Sequence, residues 1–142
     1  MNDPLWTLHP QLAADTVTVG DLALSRVLLA TDANYPWLIL VPRRAGASEL
    51  IDLEENEQVR LTAEIAAAAQ ALKETVPCDK LNIAALGNVV PQLHVHVIVR
   101  TKGDAAWPKP VWGVAPARDY DASALQALVA RLRRRLAIAA GP

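Results

Sequence analysis

Hydrophobic and polar residues alternate along several short stretches of the chain, a pattern typical of β-strands with one buried face. The stretches that predict strands are residues 17–29, 37–41, 81–85 and 93–99. The first contains Gly20-Asp21 between two runs rich in Val and Leu, which predicts a β-hairpin. The second is the apolar run WLILV with a proline on each side, as expected for a buried strand. The last two flank a turn at Gly87-Asn88.

Apolar residues spaced three and four apart predict two helices. A capping box formed by Asp52 and Glu55 would begin the longer one, and Pro77 would end it. Its predicted apolar face consists of Leu61, Ile65, Ala69, Leu72 and Val76. The second helix is predicted over about 121–139, with leucines along one side and four arginines mostly elsewhere. A loop rich in proline and tryptophan separates this helix from the last strand.

These elements predict an α+β domain with a mainly antiparallel sheet of about five strands, one long helix packed on it and a C-terminal helix. The chain has 142 residues and contains no repeat or long linker. We therefore expect one domain over residues 1–142, with its core over about residues 17–112.

Charge and cysteine content narrow the possible functions. Fourteen basic and fifteen acidic residues give a formal charge of -1, without the basic excess expected of a nucleic-acid-binding protein. We interpret the C-terminal arginines as a solvated helix face beside the negative end of the helix dipole. The single Cys78 favours a reducing compartment. MNDPLW does not resemble a signal peptide, and no apolar run approaches about 20 residues, so we expect a cytoplasmic protein that does not bind membranes.

The segment GNVVPQLHVHVIVR, residues 87–100, carries the candidate chemistry. Alternate residues of a strand share a face. One face would therefore carry Gln92, His94, His96, Ile98 and Arg100. The aliphatic residues between them would pack on the interior. Because a row of polar groups is costly to bury without partners, we expect this face to line a wet cleft.

Imidazoles in such a row suit phosphoryl chemistry. A neutral ring is a nucleophile near neutral pH, and a second ring can hold the tautomer of the first or act on the departing oxygen. The backbone N–H groups of Gly87, Asn88 and Val89 are placed to bind phosphate oxygens. The residues alone leave open a metal site on His94 and His96, although no third ligand stands at a persuasive spacing.

The segment QLHVHVI resembles the histidine triad (HIT) signature, in which three histidines alternate with apolar residues, except that Gln92 holds the first position. Gly87–Val90 is similar to the Gly-Gln-Ser/Thr-Val segment that precedes the triad. Leu38–Arg44 (LILVPRR) resembles an apolar strand that ends in proline and basic residues. Trp107-Pro108 is similar to a Trp-Pro pair that follows the triad. The resemblance covers most of the predicted core in the right order and implies a HIT-like fold.

For activity, the resemblance implies a nucleotide hydrolase or transferase. His94 would attack the α-phosphorus of a nucleotidyl substrate, such as a phosphoramidate or a dinucleoside polyphosphate. Water would then hydrolyse the nucleotidyl-histidine, and His96 would support the site by hydrogen bonding. The resemblance also implies a homodimer in which two sheets join, and chemistry that needs no metal or other cofactor. The residues expected at the substrate are Asp32 (at the ribose hydroxyls), Asn82, Gly87, Asn88, Val89 and Trp107.

Two departures from the family pattern affect the expected activity. Gln92 replaces the first histidine, and its amide can donate to a phosphate oxygen but carries no charge and moves no proton. Trp37 stands where many members have a further histidine. The alternative function is therefore a nucleotide-binding module with weak or no catalysis. Arg100 would either contact phosphate or form a surface ion pair.

Overall fold

The computed structural model describes residues 3–139, and its elements confirm the predicted α+β class. In chain order these elements are α1 (Pro10–Ala14), β1 (Thr16–Asp21), β2 (Ser25–Ala30), β3 (Trp37–Pro42), α2 (Glu55–Thr75), β4 (Lys80–Ala84), β5 (Val95–Arg100) and α3 (Ala122–Leu136). A single turn of 3-10 helix, Leu50–Asp52, precedes α2. None of the described helices is long and apolar enough to cross a membrane.

The five strands form one antiparallel sheet in the order β1-β2-β3-β5-β4, so β1 and β4 are its edges. The strand with the candidate chemistry, β5, lies between β3 and β4, and all its residues are buried. Its pairing begins at Val95, directly after His94. The histidine segment is therefore held from both sides by neighbouring strands.

One face of the sheet is covered by α2 and α3 and forms the main core. Its buried residues are Val19, Val27, Leu29, Leu38, Leu40, Ala68, Ala71, Leu72, Val97, Val99, Val129, Leu132 and Leu136. Burying one Leu or Val side chain contributes about 1.5–3 kcal/mol. The other face is covered by an N-terminal segment, residues 3–15, and by the loop of residues 101–119. Because β5 alternates, Val97 and Val99 face the helices while His96 and Ile98 face this second layer.

The predicted hairpin is confirmed, but the prediction of its turn at Gly20-Asp21 was wrong. Both residues belong to β1, and the chain reverses over residues 22–24. Buried Glu64 of α2 stabilises this turn, because its carboxylate accepts the N–H of Leu24 at 2.8 Å and the next N–H at 2.9 Å. A side chain from a distant helix thus determines where the hairpin turns.

The long helix confirms the prediction except in its first turn. Its capping box joins Glu54 to Glu57, rather than Asp52 to Glu55. Asp52 belongs to the preceding 3-10 turn, where its carboxylate accepts two backbone N–H groups. The helix ends just before Pro77, as predicted.

The C-terminal helix ends at Leu136, earlier than the predicted 139, because Ala137 adopts the left-handed conformation with φ of 53°. Its arginines hold the helix in place. Arg131 donates to a carbonyl at the end of α2 (2.6 Å), and Arg133 donates to a carbonyl of β1 (2.8 Å). These contacts support a structural role for Arg131 and Arg133, whereas Arg134 and Arg135 are exposed as predicted.

Candidate active site

The side chains of His94 and His96 lie together on the sheet face that points away from α2 and α3. Their ring centroids are 4.9 Å apart, and the two residues are only 7% and 6% exposed. Both line a cavity of about 600 Å³. Of the strand face predicted to line a cleft, Ile98 and Arg100 are instead buried, because the loop of residues 101–119 covers them.

Hydrogen bonds fix the protons on both rings. His94 Nδ1 lies 2.6 Å from the backbone carbonyl oxygen of Gln92. A carbonyl only accepts, so Nδ1 carries the proton and Nε2 keeps a free lone pair. His96 Nδ1 accepts the indole N–H of Trp37 at 3.0 Å, so its proton is on Nε2. The site therefore combines an unprotonated Nε2 on His94 with an Nε2–H donor on His96.

His96 is a neutral donor near pH 7. Its pKa is lowered to about 4, first because burial penalises the charged ring and second because His94 lies beside it. The indole contact has the same consequence, since a protonated His96 would place a second N–H against that of Trp37. Trp37 thus holds one tautomer of His96.

The turn before β5 forms part of the cavity wall. Gly87 has φ of +76°, a left-handed conformation that glycine adopts at little cost. Asn88 and Val89 follow it at the cavity wall. The backbone N–H groups of Asn88 and Val89 donate to no acceptor among the described residues. The three predicted phosphate contacts therefore lie beside the histidines, and their binding role stays a prediction.

Two tryptophans border the cavity, and neither is the one singled out from the sequence. Trp37 and Trp112 contact His96 edge to face, at centroid distances of 5.5 and 5.1 Å. Trp107 is not part of the cavity lining and packs instead on Arg100, with 5.7 Å from its ring centroid to the guanidinium. The Trp-Pro pattern pointed to Trp107, and no pattern in the sequence points to Trp112, because the path of their loop decides which one meets the site.

A buried ion pair sets that path and corrects both interpretations of Arg100. The guanidinium donates to the two carboxylate oxygens of Asp104 at 2.8 and 3.0 Å, and the two side chains are 2% and 5% exposed. Arg100 therefore forms neither a phosphate contact nor a surface pair. Asp104 also accepts three backbone N–H groups of the loop. These bonds hold its pKa at about 2, with the Arg100 contact as the largest cause.

Three aspartates are among the residues that line the cavity. Asp32, the predicted ribose contact, lines it and also accepts the N–H groups of Asn34 and Arg118 at 3.0 and 3.2 Å. Asp15 and Asp119 line it as well, and sequence reasoning missed both. No lysine or arginine stands among the described residues of this lining.

Two other predicted residues lie outside the large cavity. Asn82 of β4 accepts a hydrogen bond from Arg100 at 2.8 Å. Gln92 turns its amide toward the N-terminal segment, where it accepts the N–H of His9 at 2.9 Å and donates to the carbonyl of Thr7 at 2.8 Å. Their contacts with substrate stay predictions.

The geometry offers little to a metal ion. Within residues 3–139, no group of three or more His, Cys, Asp or Glu side chains is arranged to hold one. In addition, the Nδ1 lone pair of His96 already accepts the Trp37 N–H.

Comparison with known proteins gives a consistent result. The family model described as HIT domain matches residues 11–103. Among curated proteins, none matches the chain. A histidine triad protein from Bradyrhizobium japonicum is 58% identical, with a TM-score of 0.92 and coverage of 94% of this chain and 99% of that one.

Two further solved structures are similar over nearly the same length. A histidine triad protein from Marinobacter aquaeolei is 45% identical, with a TM-score of 0.89 and coverage of 93% of this chain and 96% of that one. A histidine triad (HIT) protein from Sinorhizobium meliloti is 41% identical, with a TM-score of 0.89 and coverage of 92% and 97%.

Proposed function

This chain belongs to the HIT domain family and has the HIT fold, and from that premise we propose that it is a nucleotide hydrolase or transferase. The reaction would occur at the α-phosphate of a nucleotidyl substrate. The observation that supports this most directly is the pair of fixed tautomers, with a free Nε2 on His94 beside an Nε2–H on His96 at one wall of a cavity.

The proposed reaction has two steps. His94 Nε2 attacks the α-phosphorus and forms a P–N bond, while the bond to the leaving group breaks and its electron pair departs with that group, which takes a proton from water. The nucleotidyl-histidine is an imidazolium, because Nδ1 keeps its proton against the Gln92 carbonyl. Water, or the hydroxyl group of another acceptor in a transferase, then attacks phosphorus and gives up a proton to solvent, while the P–N bond breaks and its electron pair returns to His94 Nε2. The His96 N–H and the turn amides would stabilise the phosphate oxygens in both steps.

The charge of the cavity favours one of the two substrate classes. Asp15, Asp32 and Asp119 line it, and no described lining residue is a lysine or an arginine. A polyphosphate leaving group would bring additional negative charge toward these carboxylates, whereas the amine of a phosphoramidate would not. Asp32 would accept the ribose hydroxyls, and Trp112 would offer the stacking surface.

We therefore expect kcat/KM for adenosine 5′-phosphoramidate to exceed that for a diadenosine polyphosphate by about tenfold or more. AMP release, measured with the purified protein and both substrates at equal ionic strength, checks this. A faster reaction with the polyphosphate would contradict the charge argument. Release of AMP from neither substrate would contradict the proposed enzyme itself.

The binding-module alternative is favoured by one observation, the engagement of both Gln92 amide groups by the N-terminal segment. This use of the Gln92 amide would leave the phosphate with fewer side-chain donors than a complete triad provides. Calorimetry with AMP and GMP distinguishes the two functions. Binding in the micromolar range without turnover of any nucleotidyl substrate supports the module.

We propose a homodimer formed through the edge strand β4. Its outer backbone groups pair with no described strand, and apolar side chains are exposed on and near it. These are Ile83 and Leu86, together with Leu50, which lines a common cavity with them. Two antiparallel copies of β4 could join the sheets and cover this surface.

For that reason Ile83→Arg is expected to convert a dimer to a monomer, measured by light scattering at several protein concentrations. The control is Leu5→Arg, which changes another exposed apolar side chain on the N-terminal segment and should leave the mass unchanged. A wild-type protein that stays monomeric at high concentration would contradict the dimer.

The proposed location is the cytoplasm, because the only cysteine of the chain, Cys78, is a free thiol. Cell fractionation followed by detection of the protein tests this, and recovery outside the cytosolic fraction would contradict it.

A further inference from the structure

The residue at the first triad position makes its side-chain contacts with the beginning of the chain. Gln92 Oε1 accepts the N–H of His9 at 2.9 Å, and Gln92 Nε2 donates to the carbonyl of Thr7 at 2.8 Å. Thr7 and His9 are two residues apart, so their donor and acceptor groups fit the two ends of one amide. A carboxylate has no donor at this position, and a neutral imidazole cannot present both groups side by side.

The segment held by Gln92 leads directly into a wall of the large cavity. His9 is the N-cap of α1, and its Nδ1 accepts the N–H of Gln11 at 3.0 Å. Gln11, Leu12 and Asp15 of this region line the cavity. A helix of five residues is too short to be stable in isolation, so its position depends on such anchors.

A second anchor, whose own side chain does not line the cavity, holds the same segment. Trp6 packs with Leu8 and Leu12 on the second face of the sheet, and the Arg26 guanidinium lies 5.1 Å from its ring centroid. Trp6 is not a lining residue of the cavity. The two anchors therefore affect α1 in the same way, although only Gln92 adjoins the candidate catalytic residues.

We infer that Gln92 is a positioning residue that fastens α1 as one wall of the nucleotide cavity, so that substrate affinity depends on its side chain. Through its backbone carbonyl it orients His94, and through its amide it places Gln11, Leu12 and Asp15. This inference rests on the proposed function for its substrate, but the fastening itself does not. It differs from the phosphate-donor role expected at the first triad position.

The experiment compares Gln92→Ala, Trp6→Ala and the double variant in the full chain. Gln92→Ala is expected to raise the KM for adenosine 5′-phosphoramidate and the Kd for AMP by about tenfold, with kcat changed by less than about threefold. Trp6→Ala should likewise raise KM and Kd with little change in kcat. The double variant should lose less than the product of the two effects, because both remove one anchored segment.

A phosphate donor predicts a different result. Gln92→Ala would then lower kcat with KM little changed, and Trp6→Ala would have no effect on either, which would overturn the inference. Gln92→His separates the roles again. A fastening role predicts a raised KM with no gain in kcat, whereas a restored triad donor would raise kcat.

Hydrogen exchange without any nucleotide tests the fastening alone. In Gln92→Ala, amides of residues 9–15 are expected to lose protection while those of β5 keep theirs. Unchanged protection of residues 9–15 would overturn the inference whatever the activity. If the wild type neither binds AMP nor releases it, the proposed function fails, and the exchange result still decides whether Gln92 holds the segment.

Discussion

Replacing His94 by alanine is expected to lower the rate of AMP release on the order of 10⁴-fold and to abolish the covalent intermediate. The reason is that His94 Nε2 carries a free lone pair in a residue that lines the cavity, since Nδ1 is hydrogen-bonded to the Gln92 carbonyl. Intact-mass spectrometry shortly after mixing with adenosine 5′-phosphoramidate measures the intermediate. The wild type should gain one adenylyl group, which peptide mapping should place on His94.

The neighbouring histidine provides the matched control. His96 is also buried, lines the same cavity and lies 4.9 Å from His94. His96→Ala should slow AMP release by about 100-fold or more, because a donor to the phosphate is lost, but the adduct on His94 should still form. An adduct in the His94→Ala protein, or equal rates for wild type and His94→Ala, would contradict the assignment of the nucleophile.

The pKa of His96 restricts how the pH profile is interpreted. Because burial lowers this pKa to about 4, the ring stays neutral through the range in which an unperturbed histidine titrates. A fall of kcat between pH 7 and 6 would therefore report another group. The lowered pKa also makes the stability of the fold depend on pH. The contribution of neutral His96 is complete above the unfolded pKa of 6.5 and is lost as the pH falls toward 4.

Strand periodicity predicted which side chains share a face, and it predicted nothing about what covers that face. Val97 and Val99 pack in the core and His96 on the opposite side, as a period of two requires. Arg100 shares the histidine face but is sealed by the following loop. Its cover depends on Asp104, whose pairing with Arg100 has no periodic signal.

The other differences arise where a distant side chain competes with a local pattern. The hairpin turn follows Glu64 of α2 rather than the Gly20-Asp21 pair. The amide of Gln92 is used by a segment more than 80 residues earlier in the chain. Neither contact can be derived from local propensity, because both depend on how the assembled layers meet. In contrast, the first turn of α2 differs from the predicted one only because acidic residues occur at several positions that could begin a helix.

Removing Asp104 is expected to destabilise the protein more than any surface substitution, by about 3–5 kcal/mol. Asp104→Ala would leave the Arg100 guanidinium charged and buried without its carboxylate, and would free three backbone N–H groups of the loop. Urea unfolding followed by circular dichroism measures the loss. The matched control is Glu74→Ala, which breaks the exposed pair with Arg135 and should cost less than about 1 kcal/mol. Similar losses in the two variants would contradict the structural role of the buried pair.

The same pair predicts how the stability of the wild type depends on acid. The pKa of Asp104 falls from 3.8 to about 2 on folding, chiefly through the Arg100 hydrogen bonds, so the folded state favours the charged carboxylate. Its contribution is therefore complete above pH 3.8 and is lost as the pH falls toward 2. The difference between the folded and unfolded pKa values corresponds to about 2 kcal/mol of stability.

Because the loop anchored by this pair carries Trp112 against His96, acid should loosen the cavity as well as the fold. Asp104→Asn removes the titrating group. The free energy of unfolding of this variant should be lower than that of the wild type at neutral pH, and it should change less between pH 4 and 2. Parallel curves for the two proteins over that range would show that the acid sensitivity arises elsewhere.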